Sequence, residues 1–218
     1  DFAFYNCRNL MEIVVPDSCV YLGGYAFYNC SSLESATIGI AVPEIGDYTF
    51  YNCTSLTTAV IGTSVTRIGD YAFYNCALTR LTTPSTLVTI GKYAFAYNTS
   101  LTRVTLRNNL QTIDDGAFKG CSALKTINWP SSINYIGAHA FEKCSSLASV
   151  TIPVLVDEIN DYTFANCTSL ASVTINGEIT RIGDYAFINT VITEFDFGEV
   201  LEVIGDSAFE NTKLSSIY

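Results

Sequence analysis

Residues 129–147 read WPSSINYIGAHAFEKCSSL, and this segment spans most of one unit of a pattern that fills the chain. Its phenylalanine is one of ten that recur through the 218 residues at steps of 23, with 22 at two steps. The ten are Phe4, Phe27, Phe50, Phe73, Phe95, Phe118, Phe141, Phe164, Phe187 and Phe209. A fixed period of this length indicates stacked repeats, so we expect a repeat array and not a conventional globule.

The hydrophobic spacing predicts how one unit folds. In the second unit, Ala36 and Ile38 alternate with polar residues, which is the two-residue period of a half-buried strand. Gly39 ends that strand, and Val42 and Ile45 form a second apolar pair at a three-residue step. The unit therefore contains a strand, a corner and an extended stretch with inward side chains.

The phenylalanine itself follows a turn. In the third unit, Gly46 and Asp47 precede the sequence Tyr-Thr-Phe that ends at Phe50, and other units repeat this order. An aspartate in that place suits the N-cap of a short helical turn, where its carboxylate accepts backbone N–H bonds. We therefore predict a short helical turn bearing the phenylalanine.

One unit cannot bury its apolar side alone, whereas stacked copies pair their strands in parallel at ~4.7–4.9 Å. The predicted fold class is α/β, with a parallel sheet, short helical turns and extended segments. The first 22-residue step fits a deletion in a loop at Cys76-Ala77-Leu78. We expect residues 1–218 to form a single domain, and a fragment of a longer protein because neither end carries an evident polar cap.

The pattern Leu-x-x-Val-x-Ile-Pro, followed by Val-x-x-Ile-Gly-x-x-Ala-Phe-x-x-Cys-Ser-Ser-Leu, resembles the BspA-like (Treponema-type) leucine-rich repeat over all ten units. The resemblance implies a right-handed leucine-rich repeat solenoid, a horseshoe with its parallel sheet on the concave face and helical turns and extended segments on the convex side. It also implies a secreted or cell-surface location, usually in host-associated bacteria, and adhesion to host or bacterial surfaces as the function.

Composition narrows the class of partner. Apolar residues make up 49% and charged residues 15%, which is ample for a continuous core. No stretch approaches the ~20 apolar residues that span a membrane, so we expect no direct membrane insertion. The net charge of −10 argues against nucleic acid and anionic membrane surfaces. Simple solubility is the first interpretation of this charge, and binding of cations or basic partners is the alternative.

Seven of the eight cysteines occupy one slot, three residues after the phenylalanine. They are Cys7, Cys30, Cys53, Cys76, Cys121, Cys144 and Cys167. Neighbouring units would bring their Cα atoms to ~4.8 Å, within the range of a disulfide. The side chains would point the same way, however, which favours reduced, buried thiols over bridges. Cys19 is expected to be a small core residue. The absence of a CxxC spacing and the single histidine predict no metal site.

Tyrosines flank successive phenylalanines at a three-residue spacing, as at Tyr25/Tyr28 and Tyr48/Tyr51. They predict either ring-on-ring packing between units, which we favour, or an aromatic strip that binds a partner. Nearby, Glu44 lies one unit before Arg67, which predicts a structural ion pair between units.

The strand face is the candidate recognition surface, because its outward positions are mainly uncharged hydroxyl residues interrupted by cations. Arg80 and Arg103 fall at equivalent positions of neighbouring units, Lys125 follows one unit further, and Arg107 ends a strand. Like charges this close repel each other, so we hypothesise that they contact a carboxylate, a sulfate or an acidic glycan. Solvated arginines lying over the strands are the alternative. The complete candidate ligand site is Arg80, Arg103, Lys125, Thr82, Thr105 and Asn128.

Nothing in the sequence indicates catalysis. The single histidine, His139, occupies a slot where other units carry tyrosine, and no glycine-rich phosphate loop is present. We predict no enzyme activity, no cofactor and no metal. The predicted function is a monomeric adhesion module whose partner is a protein or an acidic glycan. The alternative is a structural spacer that holds other domains away from the cell without a ligand of its own.

Overall fold

A computed structural model describes residues 1–218 as a solenoid of stacked coils, one for each repeat. Each coil passes through three columns: a first strand, a shorter second strand, and a turn that carries the phenylalanine. The strands of the first column are Glu12–Val14 (β1), Ser35–Thr37 (β2), Thr58–Val60 (β4), Arg80–Thr82 (β6), Arg103–Thr105 (β8), Ile127–Asn128 (β10), Ser149–Ile152 (β12), Ser172–Ile175 (β14), Glu194–Phe195 (β16) and Ser216–Ile217 (β18).

The second column consists of two-residue strands, each ending in an isoleucine. They are Glu44–Ile45 (β3), Arg67–Ile68 (β5), Thr89–Ile90 (β7), Thr112–Ile113 (β9), Tyr135–Ile136 (β11), Glu158–Ile159 (β13), Arg181–Ile182 (β15) and Val203–Ile204 (β17). All pairings are parallel and join equivalent residues of neighbouring coils, as in Ile45 opposite Ile68. The predicted parallel stack of coils is therefore present.

The predicted helical turns are wrong, because the structure contains no helix. In every coil the residues two before and two after the phenylalanine have positive φ, as do Tyr48 (56°) and Asn52 (57°) around Phe50. Left-handed residues at this spacing cannot continue a right-handed helix. Instead, every second N–H group in this turn points along the stack toward the next coil. The Phe50 N–H, for example, donates to the Ala72 carbonyl of the next coil at 2.7 Å.

The aspartate that was predicted to cap a helix joins two coils. The Asp47 Oδ1 accepts the backbone N–H of Asp70 in the next coil at 2.8 Å. Gly69 lies directly against this aspartate, and a Cβ on that glycine would come within 2.7 Å of the Asp47 backbone nitrogen. Glycine therefore precedes the aspartate because the neighbouring coil leaves no room for a side chain.

The phenylalanines form one continuous column through the core. All nine neighbouring pairs are stacked, with ring centroids 5.0 to 5.8 Å apart. The eight interior rings from Phe27 to Phe187 are fully buried, whereas Phe4 and Phe209 at the ends of the stack are partly exposed. Burying one such side chain contributes roughly 1.5–3 kcal/mol, so this column is a main source of stability.

The first strand column is interrupted three times. Hydrogen bonding breaks between β4 and β6, between β10 and β12, and between β14 and β16. The first and third breaks precede coils that have lost one residue, at Ala77 and at Val191. At the second break, Trp129 fills the inward position that Ile38 and Ile152 hold in other coils, and its ring packs edge-on against Phe141. The phenylalanine column is thus continuous, whereas the first strand column is divided at three places and the second at one, between β11 and β13.

No helix in the structure has the length and the apolar character that a membrane crossing requires.

Candidate ligand-binding site

The strand face is the surface formed by the outward side chains of the first strand column. Alternation within each strand positions these side chains, because Leu81 and Val104 point into the core while their neighbours point out. Most of the outward positions carry hydroxyls. They include Ser35, Thr37, Thr58, Thr82, Thr105, Ser149, Thr151, Ser172 and Thr174. The face offers rows of hydrogen-bonding groups and few carboxylates near its centre.

Arg80 and Arg103 lie directly opposite each other in β6 and β8. Both are exposed, and neither makes an ion pair. The second strand column differs, since there Arg67 lies opposite Glu44 and pairs with it, and also contacts Asp47 at 3.2 Å. Adjacent guanidinium groups repel each other, so the strand face carries a concentration of positive charge that the fold does not neutralise.

Arg67 shows how the chain treats a structural cation. Its pKa is raised because hydrogen bonds and charge from Glu44 and Asp47 outweigh the burial that would lower it. Arg181 repeats the arrangement with Asp161 at 2.7 Å and Glu158 at 4.0 Å. The predicted ion pair between Glu44 and Arg67 is therefore present, and Arg181 makes a second one; their exposed positions limit each to ~0–1 kcal/mol.

The structure brings five of the six predicted site residues together in register and displaces one. Thr82, Thr105 and Asn128 form a single row across β6, β8 and β10. Because Ile127 lies opposite Val104, the residue opposite Arg103 is Thr126 and not Lys125. Lys125 is exposed but lies one residue earlier on the chain. The sequence contains this difference, because Lys125 follows the leucine of its unit by one residue, whereas Arg80 and Arg103 follow theirs by two.

The strand face also has a feature that the sequence did not predict. A cavity of about 590 Å³ opens at the break between β4 and β6. Its lining includes Arg80 and Thr82 from the predicted site, together with Arg107 and Ser85 from the corners that follow the strands. Arg103 does not line it. The sequence feature that could have indicated this cavity is the 22-residue step between Phe73 and Phe95, which marks the shortened coil.

A second cavity of about 390 Å³ lies at the break between β14 and β16, and its chemistry is opposite. Glu178, Asp196 and Glu199 supply its charged lining. Two shortened coils are therefore accompanied by an opening, one basic and one acidic, whereas the last coil, which is equally short between Phe209 and Leu214, pairs normally through β16 and β18.

The tyrosines pack on one another, which was the favoured interpretation. Tyr25, Tyr48, Tyr71 and Tyr93 stack in one column, with ring centroids 4.8 to 5.1 Å apart. Tyr28, Tyr51 and Tyr74 stack in a second column at 4.9 Å. Since the rings cover one another's faces, they present mainly edges to solvent.

His139 makes contacts that link neighbouring side chains of the fold. Its Nδ1 lies 2.7 Å from the Glu142 carboxylate, and its ring stacks on Tyr162. Lys119 contacts the same carboxylate at 2.7 Å. Burial opposes ionisation of Glu142, but the hydrogen bonds from Lys119 and His139 outweigh it and lower its pKa. The carboxylate is already bound by these two side chains.

Comparison with known proteins agrees with this architecture. A family model, the BspA type leucine rich repeat region, matches residues 1–101 and 88–215 with six copies of the repeat. A leucine-rich cell surface protein from Faecalibacterium prausnitzii is 25% identical, with a TM-score of 0.66, over 100% of this chain and 81% of its own. No protein with a curated description matches the chain significantly.

Two further solved structures share the fold. The leucine-rich repeat protein of Treponema pallidum is 26% identical with a TM-score of 0.60, over 83% of this chain and 76% of its own. A leucine-rich repeat protein from Bacteroides ovatus is 26% identical with a TM-score of 0.53, over 99% of this chain and 74% of its own.

Proposed function

The chain belongs to the BspA-type leucine-rich repeat family, and from this premise we propose that it is a cell-surface or secreted adhesion module that binds an anionic ligand on its strand face. The cell-surface location draws support from the similar Faecalibacterium prausnitzii protein, which is described as a leucine-rich cell surface protein. In this proposal the strand face lines the concave side of a right-handed horseshoe, and the module acts as a monomer without catalytic activity.

The observation that carries the proposal is the pair Arg80 and Arg103. The chain has eleven lysines and arginines, and five of them make ion pairs. Four of the six without a carboxylate partner are Arg80, Arg103, Arg107 and Lys125, within three successive coils of one face. A chain of net charge −10 that leaves these cations free gains a favourable site for an anion.

The rows of hydroxyls complement this charge. Thr82, Thr105 and Asn128 run across the coils beside the arginines, and each can donate or accept a hydrogen bond. A ligand with carboxylate or sulfate groups and additional polar atoms would use both features. An acidic glycan or an acidic protein segment is therefore the proposed partner class.

Charge reversal tests the proposal. The double variant Arg80→Glu with Arg103→Glu should abolish binding to immobilised acidic glycans and acidic host matrix proteins in surface plasmon resonance. Its melting temperature should stay nearly unchanged, since neither arginine makes an ion pair. The matched control is Arg8→Glu with Lys213→Glu, which changes the net charge equally at exposed, equivalent positions of the two terminal coils.

Equal binding by the reversed and control variants would contradict the strand-face site. The second candidate function is a structural spacer, which the regular hydroxyl face of β12 and β14 favours, since Ser149, Thr151, Ser172 and Thr174 show no departure from the repeat. A wild-type chain that binds none of the acidic ligands would support the spacer.

A further inference from the structure

The opening between β4 and β6, which we call the seam, contains a backbone N–H group that has no hydrogen-bond partner. In several coils the residue after the first strand bonds to the next coil, as when the Ile38 N–H donates to the Val60 carbonyl at 2.9 Å, although Leu106 makes no such bond. The equivalent bond from Ile61 to Thr82 is absent. Ile61 is nevertheless buried, so its N–H lies in the wall of the seam.

The seam is bounded on both sides by intact contacts between the same two coils. At one end the Thr79 N–H donates to the Thr57 carbonyl at 3.3 Å, and at the other the Thr86 hydroxyl donates to the Thr63 carbonyl at 2.8 Å. The opening is therefore local and follows the direction of the strands. It lies where a coil that lacks one residue follows a full-length coil, and the same change of length accompanies the break between β14 and β16. The last coil, which is as short as the coil before it, stays paired through β16 and β18.

The lining of the seam is rich in donors and has no carboxylate. Arg80 and Arg107 are its charged residues, and the seven hydroxyl residues of its wall include Thr58, Thr82 and Ser85. Arg80 begins β6, and Arg107 lies two residues beyond the end of β8 in the following coil. Two cations thus lie in the wall of a hydroxyl-lined groove.

We propose that the seam is the specific subsite of the strand face, and that it binds the acidic sugar units of a uronate- or sulfate-bearing glycan. This inference rests on the proposed function and names its ligand class. The guanidinium groups of Arg80 and Arg107 pair with the acid groups. The serine and threonine hydroxyls exchange hydrogen bonds with sugar hydroxyls, and the free backbone N–H of Ile61 donates to a ligand oxygen.

A sugar fits this lining better than an acidic peptide does. A peptide that adds to a sheet needs a continuous exposed strand edge for its own backbone, whereas the seam is closed at both ends by hydrogen bonds between its two coils. A peptide also needs pockets for alternate side chains. The wall here consists instead of short polar groups, with Ala59, Val60 and Ile61 as its apolar part.

The test closes the seam without changing any charge. Insertion of a serine between Cys76 and Ala77 restores a 23-residue coil and should pair β4 with β6. We expect the affinity for a sulfated, uronate-containing tetrasaccharide, measured by calorimetry, to fall at least about tenfold, because charged hydrogen bonds are lost. The matched control is a serine inserted between Thr190 and Val191, which lengthens the coil beside the acidic cavity and should leave the affinity unchanged.

A second pair of variants tests the same point without an insertion. Arg107→Gln should weaken tetrasaccharide binding about tenfold, whereas Arg103→Gln, outside the seam, should weaken it less. An affinity that survives both the insertion at Cys76 and Arg107→Gln overturns the inference, while loss of binding in the Arg80/Arg103 reversal still supports the strand-face site. Binding of a glutamate-rich peptide in place of the tetrasaccharide would overturn the assignment to sugars.

Discussion

The thiol of Cys53 donates a hydrogen bond to the carbonyl oxygen of Phe27 in the preceding coil, at 3.1 Å. Five other thiols make the same bond at 3.1 to 3.3 Å: Cys30, Cys76, Cys121, Cys144 and Cys167. Where the slot holds Asn98, its amide donates to the Phe73 carbonyl at 2.8 Å instead. In seven coils the slot therefore supplies a donor to the carbonyl of the preceding coil, whereas Thr190 donates to the Phe187 carbonyl of its own coil at 2.9 Å. All eight cysteines are free thiols.

Thiol accessibility follows from this arrangement. Only Cys7 and Cys19 are not buried, so a thiol reagent at neutral pH should label these two in the native protein and all eight after denaturation without a reductant. Mass spectrometry of the labelled protein measures both numbers. Fewer than six reactive thiols in the denatured, unreduced chain would show that neighbouring coils are bridged.

Alkaline pH should destabilise the fold through the buried thiols. Burial raises the pKa of Cys121 and Cys167 from an ordinary value of 9.0 to about 12. Between these values the unfolded chain releases protons that the folded chain retains, so the free energy of unfolding falls as the pH rises and is unaffected below pH 9. Each thiol should remove about 1.4 kcal/mol per pH unit in this window.

Urea denaturation at about pH 8 and about pH 10.5 measures this effect. The control carries Cys121→Thr and Cys167→Thr, because threonine holds the same slot at Thr190 and does not ionise. The control should lose less stability between the two pH values. Equal losses in both proteins would show that these two thiols do not govern the alkaline transition.

The phenylalanine column predicts a gradient of sensitivity along the stack. Phe118→Ala removes a fully buried ring that stacks on two neighbours, and should cost about 3–5 kcal/mol in the free energy of unfolding. Phe209→Ala, at a partly exposed end of the column, should cost clearly less. Urea denaturation monitored by circular dichroism compares the two, and equal costs would mean that burial within the column does not set the energy.

Substitution of Gly69 should lower the free energy of unfolding through steric contact alone. Its φ is not positive, yet a Cβ there would come within 2.7 Å of the Asp47 backbone nitrogen, so Gly69→Ala should destabilise by about 2–4 kcal/mol. The control is Gly198→Ala, where φ is +66° but nothing lies within 4 Å. That change should cost only about 1 kcal/mol, from the backbone conformation. A smaller loss at Gly69 than at Gly198 would contradict the close approach of the coils.

The sequence predicted the register of the stack because the phenylalanines recur at a nearly constant step and each ring is buried by stacking on its neighbours. It also predicted the pairing of Glu44 with Arg67, since residues 23 apart must meet when equal coils stack. The row of Thr82, Thr105 and Asn128 followed from the same count.

The helical turns were wrong for a physical reason. Asp47 before Tyr-Thr-Phe suits a helix cap when only local bonds are considered, but its carboxylate and the Phe50 N–H both bond to the next coil. A local sequence pattern does not show whether these groups bond within the turn or to the next coil. The seam was missed similarly: the shortened coil at Ala77 was visible in the sequence, but its effect on the pairing of β4 with β6 depends on the neighbouring coil.

The left-handed pairs that bracket each phenylalanine have an evolutionary consequence. Residues as different as Tyr48, Gly116 and His139 occupy the first of these two places with nearly the same backbone angle, and each donates its N–H to the following coil. A coil therefore offers the same junction above and below, whatever its side chains. Recombination that exchanges whole coils of equal length would keep these junctions, so ligand chemistry can diversify while the backbone stays fixed. A coil of different length would instead interrupt the first strand column, as it does between β4 and β6.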